Sequence, residues 1–237
     1  TSPWTEPTID KMLDPSFHIT TPRLHLSYSD PSNDAHMSFV VRLNNSPEKV
    51  AVDTQSGAKV PPPPQTIAEA RLALAPTAER LGKTGIGRYI ISLRVPDMAF
   101  ADEKEGREYL GMVSMQLKRF PDTQCPTIPD LGFVLLAEYY GKGYASEACV
   151  ALMQHFRETR GHERFAGFTH PENVSSQKLF TRLGFEKRGT MDVAGIAGSD
   201  GASVRVAVWT KDVSPETELS DLGIGPGLDQ GSKSGSS

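Results

Sequence analysis

A glycine-bearing turn, Gly141-Lys142-Gly143, sits between an apolar run, Leu131 to Ala137, and a stretch whose apolar residues Ala145, Ala148, Cys149, Leu152 and Phe156 recur at helical spacing up to Gly161. A strand, a glycine turn and a helix start place free backbone N–H groups and the positive end of a helix dipole at one point. That combination is suited to a phosphate or pyrophosphate. The spacing is not that of a kinase-type P-loop, because no Gly-Lys-Ser/Thr closes a four-residue spacer. It also lacks the third glycine and the ribose-binding acid of a dinucleotide fingerprint. By itself the turn is better read as a plain helix start.

A second block lies about thirty residues on: His170-Pro171-Glu172-Asn173-Val174-Ser175-Ser176, then Leu179-Phe180 and Leu183-Gly184-Phe185. Asn173 is a suitable N-cap. Ser176 precedes Leu179, Phe180 and Leu183 by three, four and seven residues, so it shares their inward stripe. A hydroxyl there needs a partner, either a carbonyl of the preceding turn or a ligand, and spacing leaves the two even. Cys149 falls on the inward face of its helix, where packing is the better reading than nucleophilic chemistry.

The run from Leu131 to Ala148, Leu-Gly-Phe-Val-Leu-Leu-x-Glu-Tyr-Tyr-Gly-Lys-Gly-Tyr-Ala-Ser-Glu-Ala, resembles the acyl-CoA-binding motif of the GCN5-related N-acetyltransferases (GNAT). The branch it resembles contains the ribosomal-protein alanine acetyltransferases. Glu138 stands where the wider family motif has Gln or Arg, a departure common in that branch. Thr20-Thr21-Pro22-Arg23-Leu24 resembles the branch's Thr-x-Arg-Leu opening, and Asn173-x-x-Ser176 followed by Leu183-Gly184-Phe185 resembles its pantetheine-holding segment.

The resemblance implies an acetyl-CoA-dependent N-acetyltransferase that moves an acetyl group directly to a primary amine, with acetyl-CoA as co-substrate and no metal. The acceptor is a protein N-terminus or a small amine. Backbone groups of Val134, Leu135 and Leu136 are expected to meet pantetheine, one N–H serving the developing oxyanion. Amides of Tyr140, Gly141, Lys142, Gly143, Tyr144, Ala145 and Ser146, with the Ser146 hydroxyl, are expected to hold the pyrophosphate. Lys142 reads as a solvated charge within reach of a phosphate. Asn173 is expected to contact the cofactor arm and Ser176 to protonate the departing thiolate. Asp130 is the candidate general base, weighed equally with a turn role after Pro129, and needs burial to raise its pKa. His170 and Glu172 are its reserves. Tyr139 and Tyr140 are expected to pack at the cofactor, and Glu147 to make a local pair or cap. The alternative function is a catalytically degenerate acyl-CoA-binding or regulatory domain, against which Gly141, Gly143, Asn173 and Ser176 count. A nucleotide-binding enzyme is disfavoured by the missing P-loop lysine and metal-holding acids.

Around these blocks the chain reads as an arm at 1–19, an acetyltransferase domain at 20–212 and a disordered Gly/Ser-rich tail at 213–237. Strands are predicted at 22–28, 88–95, 108–118, 131–137, 164–170, 185–193 and 203–211, the last two joined by a turn at Gly198 to Gly201. Helices are predicted at 33–44, 66–81 (stopped by Gly82), 145–160 and 173–183. Asn44 to Gln65 is expected to be flexible, and Pro96 to Arg107, with Asp97, Asp102, Glu103 and Glu105, a solvated acidic loop. The fold class is α/β (α+β), with the resemblance implying a mixed, twisted sheet of about seven strands flanked by about four helices.

With 237 residues, 38% hydrophobic and 23% charged, the chain has enough length for a substantial core. A net charge of −4 argues against a nucleic-acid partner. Two cysteines, Cys125 and Cys149, suggest free thiols. No apolar run is long enough to span a membrane, so the expectation is a cytoplasmic monomer or homodimer without membrane partners.

Overall fold

The computed structural model describes residues 13–56, 61–103, 106–120, 122–197 and 201–227. The first part of the expected arm, Glu105, most of the Gly198–Gly201 turn and the end of the tail lie outside the described residues.

These residues form a mixed α/β fold around one open sheet of eight strands in the order β1-β2-β3-β4-β5-β6-β8-β7. The strands are β1 His18–Thr20, β2 Leu24–Tyr28, β3 Gly87–Leu93, β4 Tyr109–Gln116, β5 Asp130–Leu135, β6 Phe165–Thr169, β7 Glu186–Val193 and β8 Val204–Lys211. The helices are α1 Asp34–Asn44, α2 Pro47–Ser56, α3 Ile67–Thr84, α4 Tyr144–Arg160 and α5 Val174–Arg182. The strand beyond the expected seven is β1, in the arm, and the helix beyond the expected four is α2.

All neighbouring pairs are antiparallel except β5 and β6. Residues directly opposite share a face, so Tyr28, Tyr89, Val113 and Phe133 form one row across the sheet. Phe17 stacks on Tyr28 at 4.0 Å and meets His155 of α4 at 5.6 Å, while Phe133 meets Phe180 of α5 at 5.7 Å. Both α4 and α5 therefore lie on this face. Its core includes Leu24, Leu26, Tyr89, Leu131, Leu135, Leu152, Phe156 and Phe180.

Four expectations need correction. The segment expected to be flexible contains α2, because Ser46 leads into Pro47 at the first helical position and Glu48 in the first turn. Lys49 and Asp53 then pair one turn apart. Next, α3 runs through Gly82 to Thr84. It begins with a Thr66/Glu69 capping box and ends where Gly85 takes the left-handed conformation (φ 73°) and returns its N–H to the Leu81 carbonyl.

The acidic loop is not simply solvated. Phe100 stacks on His18 at 4.1 Å, and this anchors buried Glu103 to accept hydrogen bonds from Val95 N at 3.0 Å and His25 Nε2 at 3.3 Å. Finally, residues 213–227 are packed, not free. Val213, Leu222 and Ile224 join Ala166, Val206 and Val208 in a second cluster on the face away from α4. Thr127 N donates to the Leu222 carbonyl at 2.8 Å and Ala194 N to that of Gly225 at 2.9 Å, which fixes the segment. Among the described residues no helix is long and apolar enough to cross a membrane.

Candidate active site

The site is made by an interruption in the sheet. The register between parallel β5 and β6 is a single pair, Asp130 with Ala166, supported by Ala166 N donating to the Pro129 carbonyl at 2.9 Å. Beyond that pair the strands part, leaving a cleft closed at the Asp130 end. Because β5 and β6 run the same way, the helices after them, α4 and α5, begin at the same open edge. Their N-termini flank the mouth.

Along β5 the backbone groups alternate in direction. Leu136 donates its N–H to the Leu110 carbonyl at 2.9 Å, so that amide belongs to the β4 side, and Val134 shares its direction. The groups turned toward β6 are those of Leu131, Phe133 and Leu135. Of the three residues expected to present backbone to the cleft, Leu135 does so, whereas the N–H groups of Val134 and Leu136 face β4.

The turn at the mouth has the geometry of an anion cradle. Gly141 (φ 73°) and Gly143 (φ 80°) are both left-handed, and Gly143 is the N-cap of α4. A Cβ on Gly141 would meet nothing within 4 Å, so its surroundings are open. Glu147 N is the first amide to bond back along the helix, to the Gly143 carbonyl at 3.1 Å. The amides of Tyr144, Ala145 and Ser146 before it have no intrahelical partner.

The cradle is held from behind by Arg23, a residue the motif reading quoted only as part of the chain opening. Arg23 donates Nη1 to the Lys142 carbonyl at 2.9 Å and Nε to Glu147 Oε2 at 2.7 Å, and lies over the Tyr144 ring at 4.6 Å. Glu147 also accepts from the Thr21 hydroxyl at 2.6 Å and Arg23 N at 2.9 Å. Burial works to raise the Glu147 pKa, but these hydrogen bonds and the Arg23 charge outweigh it and hold the carboxyl below its ordinary value. The expected local pair at Glu147 is thus a tie between β2 and α4. Lys142 is exposed, as a solvated charge requires, with Nζ 5.4 Å from the Tyr139 ring centre. Tyr139 is buried and donates to Glu108 Oε1 at 2.7 Å, whereas Tyr140 is exposed at the mouth.

Across the mouth, Asn173 caps α5 by accepting from Ser176 N at 3.0 Å. Ser176 is half-buried. Among the described residues its hydroxyl makes no hydrogen bond, so the carbonyl of the preceding turn is not its partner. Phe180 presses onto Gly167 so closely that a Cβ there would overlap its ring, which seats α5 on β6. His170 accepts from Glu172 N at 3.3 Å, and the Glu172 side chain is exposed.

Asp130 lies at the closed end. It is three residues before Phe133, so its side chain is on the face opposite α5 and Ser176. The carboxyl is buried and paired with Arg119. Burial pushes its pKa up to about 6 despite the opposing charge of Arg119. That value suits a base near neutral pH, but one oxygen is committed to the guanidinium. Arg119 has no motif signal; it follows β4 in a loop, and only the folded chain brings it to Asp130. Cys149 is fully buried, and burial raises its thiol far above the ordinary range, as a packing role requires. Among the described residues no cluster of three or more His, Cys, Asp or Glu side chains is placed to hold a metal.

The profile of the acetyltransferase (GNAT) domain family matches residues 23–186. A curated relative, the uncharacterized N-acetyltransferase YnaD of Bacillus subtilis, is 34% identical over 61 residues, which span 25% of this chain and 35% of that protein. Solved structures share the fold at low identity. The ribosomal-protein-S5-alanine acetyltransferase of Vibrio fischeri is 17% identical, covering 82% of this chain and 96% of its own, with a TM-score of 0.57. The Salmonella typhimurium acetyltransferase that modifies the N-terminal serine of ribosomal protein L7/L12 is 19% identical, covering 84% and 100%, with a TM-score of 0.56. The microcin C7 self-immunity acetyltransferase MccE, solved with acetyl-CoA and AMP, is 16% identical, covering 86% and 100%, with a TM-score of 0.58. With the family profile spanning most of the chain, the protein belongs to the GNAT acetyltransferase domain family.

Proposed function

We propose that the protein is an acetyl-CoA-dependent N-acetyltransferase that brings the thioester and a primary amine together in one ternary complex. The observation that carries this reading is the parting of β5 from β6 with two helix N-termini at the same open edge. A ligand with a phosphate-rich end and a long, amide-bearing arm fits such a site, because the mouth offers free amides and the cleft wall offers unpaired strand backbone. Bound there, acetyl-CoA supplies the activated acyl group.

In this reading the amides of Gly141 to Ser146 hold the pyrophosphate and Asn173 holds the arm beside it. The cleft-facing backbone of Leu131, Phe133 and Leu135 extends the sheet onto the arm, and one N–H stabilises negative charge developing on the carbonyl oxygen. Ser176, on the α5 side, delivers a proton to the departing sulfur. Asp130, on the opposite face, receives the proton the amine must lose, directly or through a water. Placing the acid and the base on opposite faces gives each substrate its own entrance.

Thermal unfolding with acetyl-CoA, ATP or NAD in parallel tests the binding half. At 100-fold its dissociation constant a ligand adds about 2.7 kcal/mol, or roughly 5–10 °C for a domain of this size. Stabilisation by acetyl-CoA alone is expected, followed by CoA-thiol release in the presence of an amine. Equal stabilisation by ATP or NAD, or none by acetyl-CoA, defeats the reading. Binding without thiol release on any amine leaves the degenerate binding domain.

A further inference from the structure

Arg119, the partner of Asp130, is held in place at some cost. Lys118 before it is not a glycine yet takes the left-handed conformation (φ 46°). Arg119 Nε is buried with no partner among the described residues, and one terminal nitrogen alone reaches Asp130. A strained residue beside an orphaned donor persists only where the surroundings over-determine it. On one side those surroundings are α3, whose Arg80 donates to the carbonyls of Leu117 and Lys118.

On the other side the chain after Arg119 is gripped by close backbone contacts. Phe120 lies against Gly201, where a Cβ would come within 2.8 Å of its ring, and its carbonyl accepts from Cys125 Sγ at 3.1 Å. Cys125 is itself held from two directions. A Cβ on Gly195 would overlap its sulfur, and one on Gly223 its carbonyl oxygen. Gly195 and Gly201 belong to the connection between β7 and β8 and are joined by Gly195 N donating to the Gly201 carbonyl at 2.8 Å. Gly223 belongs to the C-terminal segment. That segment is pinned by Thr127 N on the Leu222 carbonyl and by Leu222 and Ile224 in the second cluster. It lies beyond residue 186, where the family profile ends.

We propose that residues 213–227 are a positioning element of the active site, clamping the connection between β4 and β5 so that Arg119 is kept against Asp130. The proposal rests on the reading of Asp130 as the base. A base must be ionised before it can take a proton; burial opposes ionisation here and the guanidinium favours it. Directly opposite Asp130 in the sheet are Gln116 of β4 and Ala166 of β6, both uncharged, so Arg119 is the charge that offsets burial. Behind it, Arg80 of α3 and Arg88 of β3 feel the Arg119 charge. A small displacement of Arg119 therefore reaches the chemistry without touching the cofactor cradle at the other end of the cleft.

The test uses the full chain with acetyl-CoA and an amine that it turns over, following kcat/KM as a function of pH. Gly223→Ala sets a methyl against the Cys125 carbonyl at a left-handed position (φ 66°). It should lower kcat/KM for the amine about tenfold or more while acetyl-CoA affinity, measured by calorimetry, stays unchanged. The acidic limb of the profile should move to higher pH, because a displaced guanidinium no longer lowers the Asp130 pKa. Leu222→Ala, which loosens the same anchor from its side chain, should give a smaller loss of the same kind. Arg119→Ala should reproduce the loss, and Arg119→Lys should keep part of the activity. In the Arg119→Ala background, Gly223→Ala should cost less than about twofold more, since both remove one interaction. Gly161→Ala is the control: its backbone is equally left-handed (φ 68°), but a Cβ there meets nothing within 4 Å, so it should lower thermal stability and leave kcat/KM unchanged. Additive losses in the double variant, the same kinetic loss from Gly161→Ala, or a wild-type profile in both Gly223→Ala and Leu222→Ala overturns the assignment. Acetyl-CoA binding without turnover of any amine by the wild type instead defeats the transferase reading, and the clamp proposal with it.

Discussion

The two ends of the cleft are built from different materials. At the open end the working groups are backbone amides, set by two left-handed glycines and braced by Arg23 and Glu147. At the closed end they are side chains gathered from separate elements: Asp130 from β5 and Arg119 from the loop after β4. Each end holds a carboxylate paired with an arginine, yet the two respond oppositely. Glu147 gathers three hydrogen bonds and is held below its usual pKa, whereas Asp130 is raised because burial outweighs its single partner. The open end is built to keep one shape. The closed end leaves a carboxylate near the threshold of ionisation.

If the open end depends on backbone shape, Gly143→Asp should have the largest effect. Its φ of 80° strains any residue with a Cβ, and that Cβ would lie 3.3 Å from the Arg23 Nη2 behind the turn, so the new carboxylate would draw the guanidinium away from Glu147 and distort the cradle. Acetyl-CoA affinity should fall by about 100-fold or more, roughly 3 kcal/mol, measured by calorimetry at constant ionic strength. Wild-type affinity in a folded variant would place the phosphates elsewhere.

The paired carboxylates offer a second break, read as stability against pH. For Asp130 the folded pKa lies above the unfolded one, so the native state binds more protons between about 4 and 6. Stability should therefore fall as pH rises through that window, by at most about 3 kcal/mol, and Asp130→Asn should flatten the fall. For Glu147 the folded pKa is depressed. Its contribution is complete above the unfolded glutamate value and is lost as pH falls through the folded one. Glu147→Gln should cost about 1–2 kcal/mol near neutral pH and weaken the loss in acid. Chemical denaturation of both variants from pH 3 to 8 separates the two signs. The same sign for both would mean that Arg119 governs Asp130 as Arg23 governs Glu147.

The same division explains what could be read without the fold. Gly141 and Gly143 stand out because a left-handed turn before a helix restricts residue type at adjacent positions, and Asn173 because a cap does the same. The strands follow from their alternation, and α4 from its apolar period and Gly161. By contrast, Arg119 meets Asp130 only because β4 pairs with β5, which no local spacing records. The same holds for residues 213–227: a few apolar side chains, Val213, Leu222 and Ile224, hold a Gly- and Pro-rich segment whose composition reads as disorder. Helix α2 was legible in principle from Ser46-Pro47-Glu48, but its period is weak and the proline run after it argued the other way. Buried Glu103 needed Phe100 on His18 to close its loop.

The smallest effect concerns Ser176, where the two ends should behave as one machine. Its amide is used by the Asn173 cap, so Ser176→Ala leaves that hydrogen bond and the helix start intact. The hydroxyl makes no bond among the described residues, so its removal strands no partner. Stability should change by less than about 0.5 kcal/mol. If the hydroxyl gives its proton only as sulfur departs, kcat should fall about tenfold or more while acetyl-CoA affinity holds. The loss should be largest with acceptors whose chemical step limits turnover, and a presteady-state burst identifies those where product release does. An unchanged chemical step would remove Ser176 from the mechanism. The proton would then reach the thiolate from solvent at the mouth, and the open end would be a binding device alone, with the chemistry left to the Asp130 face.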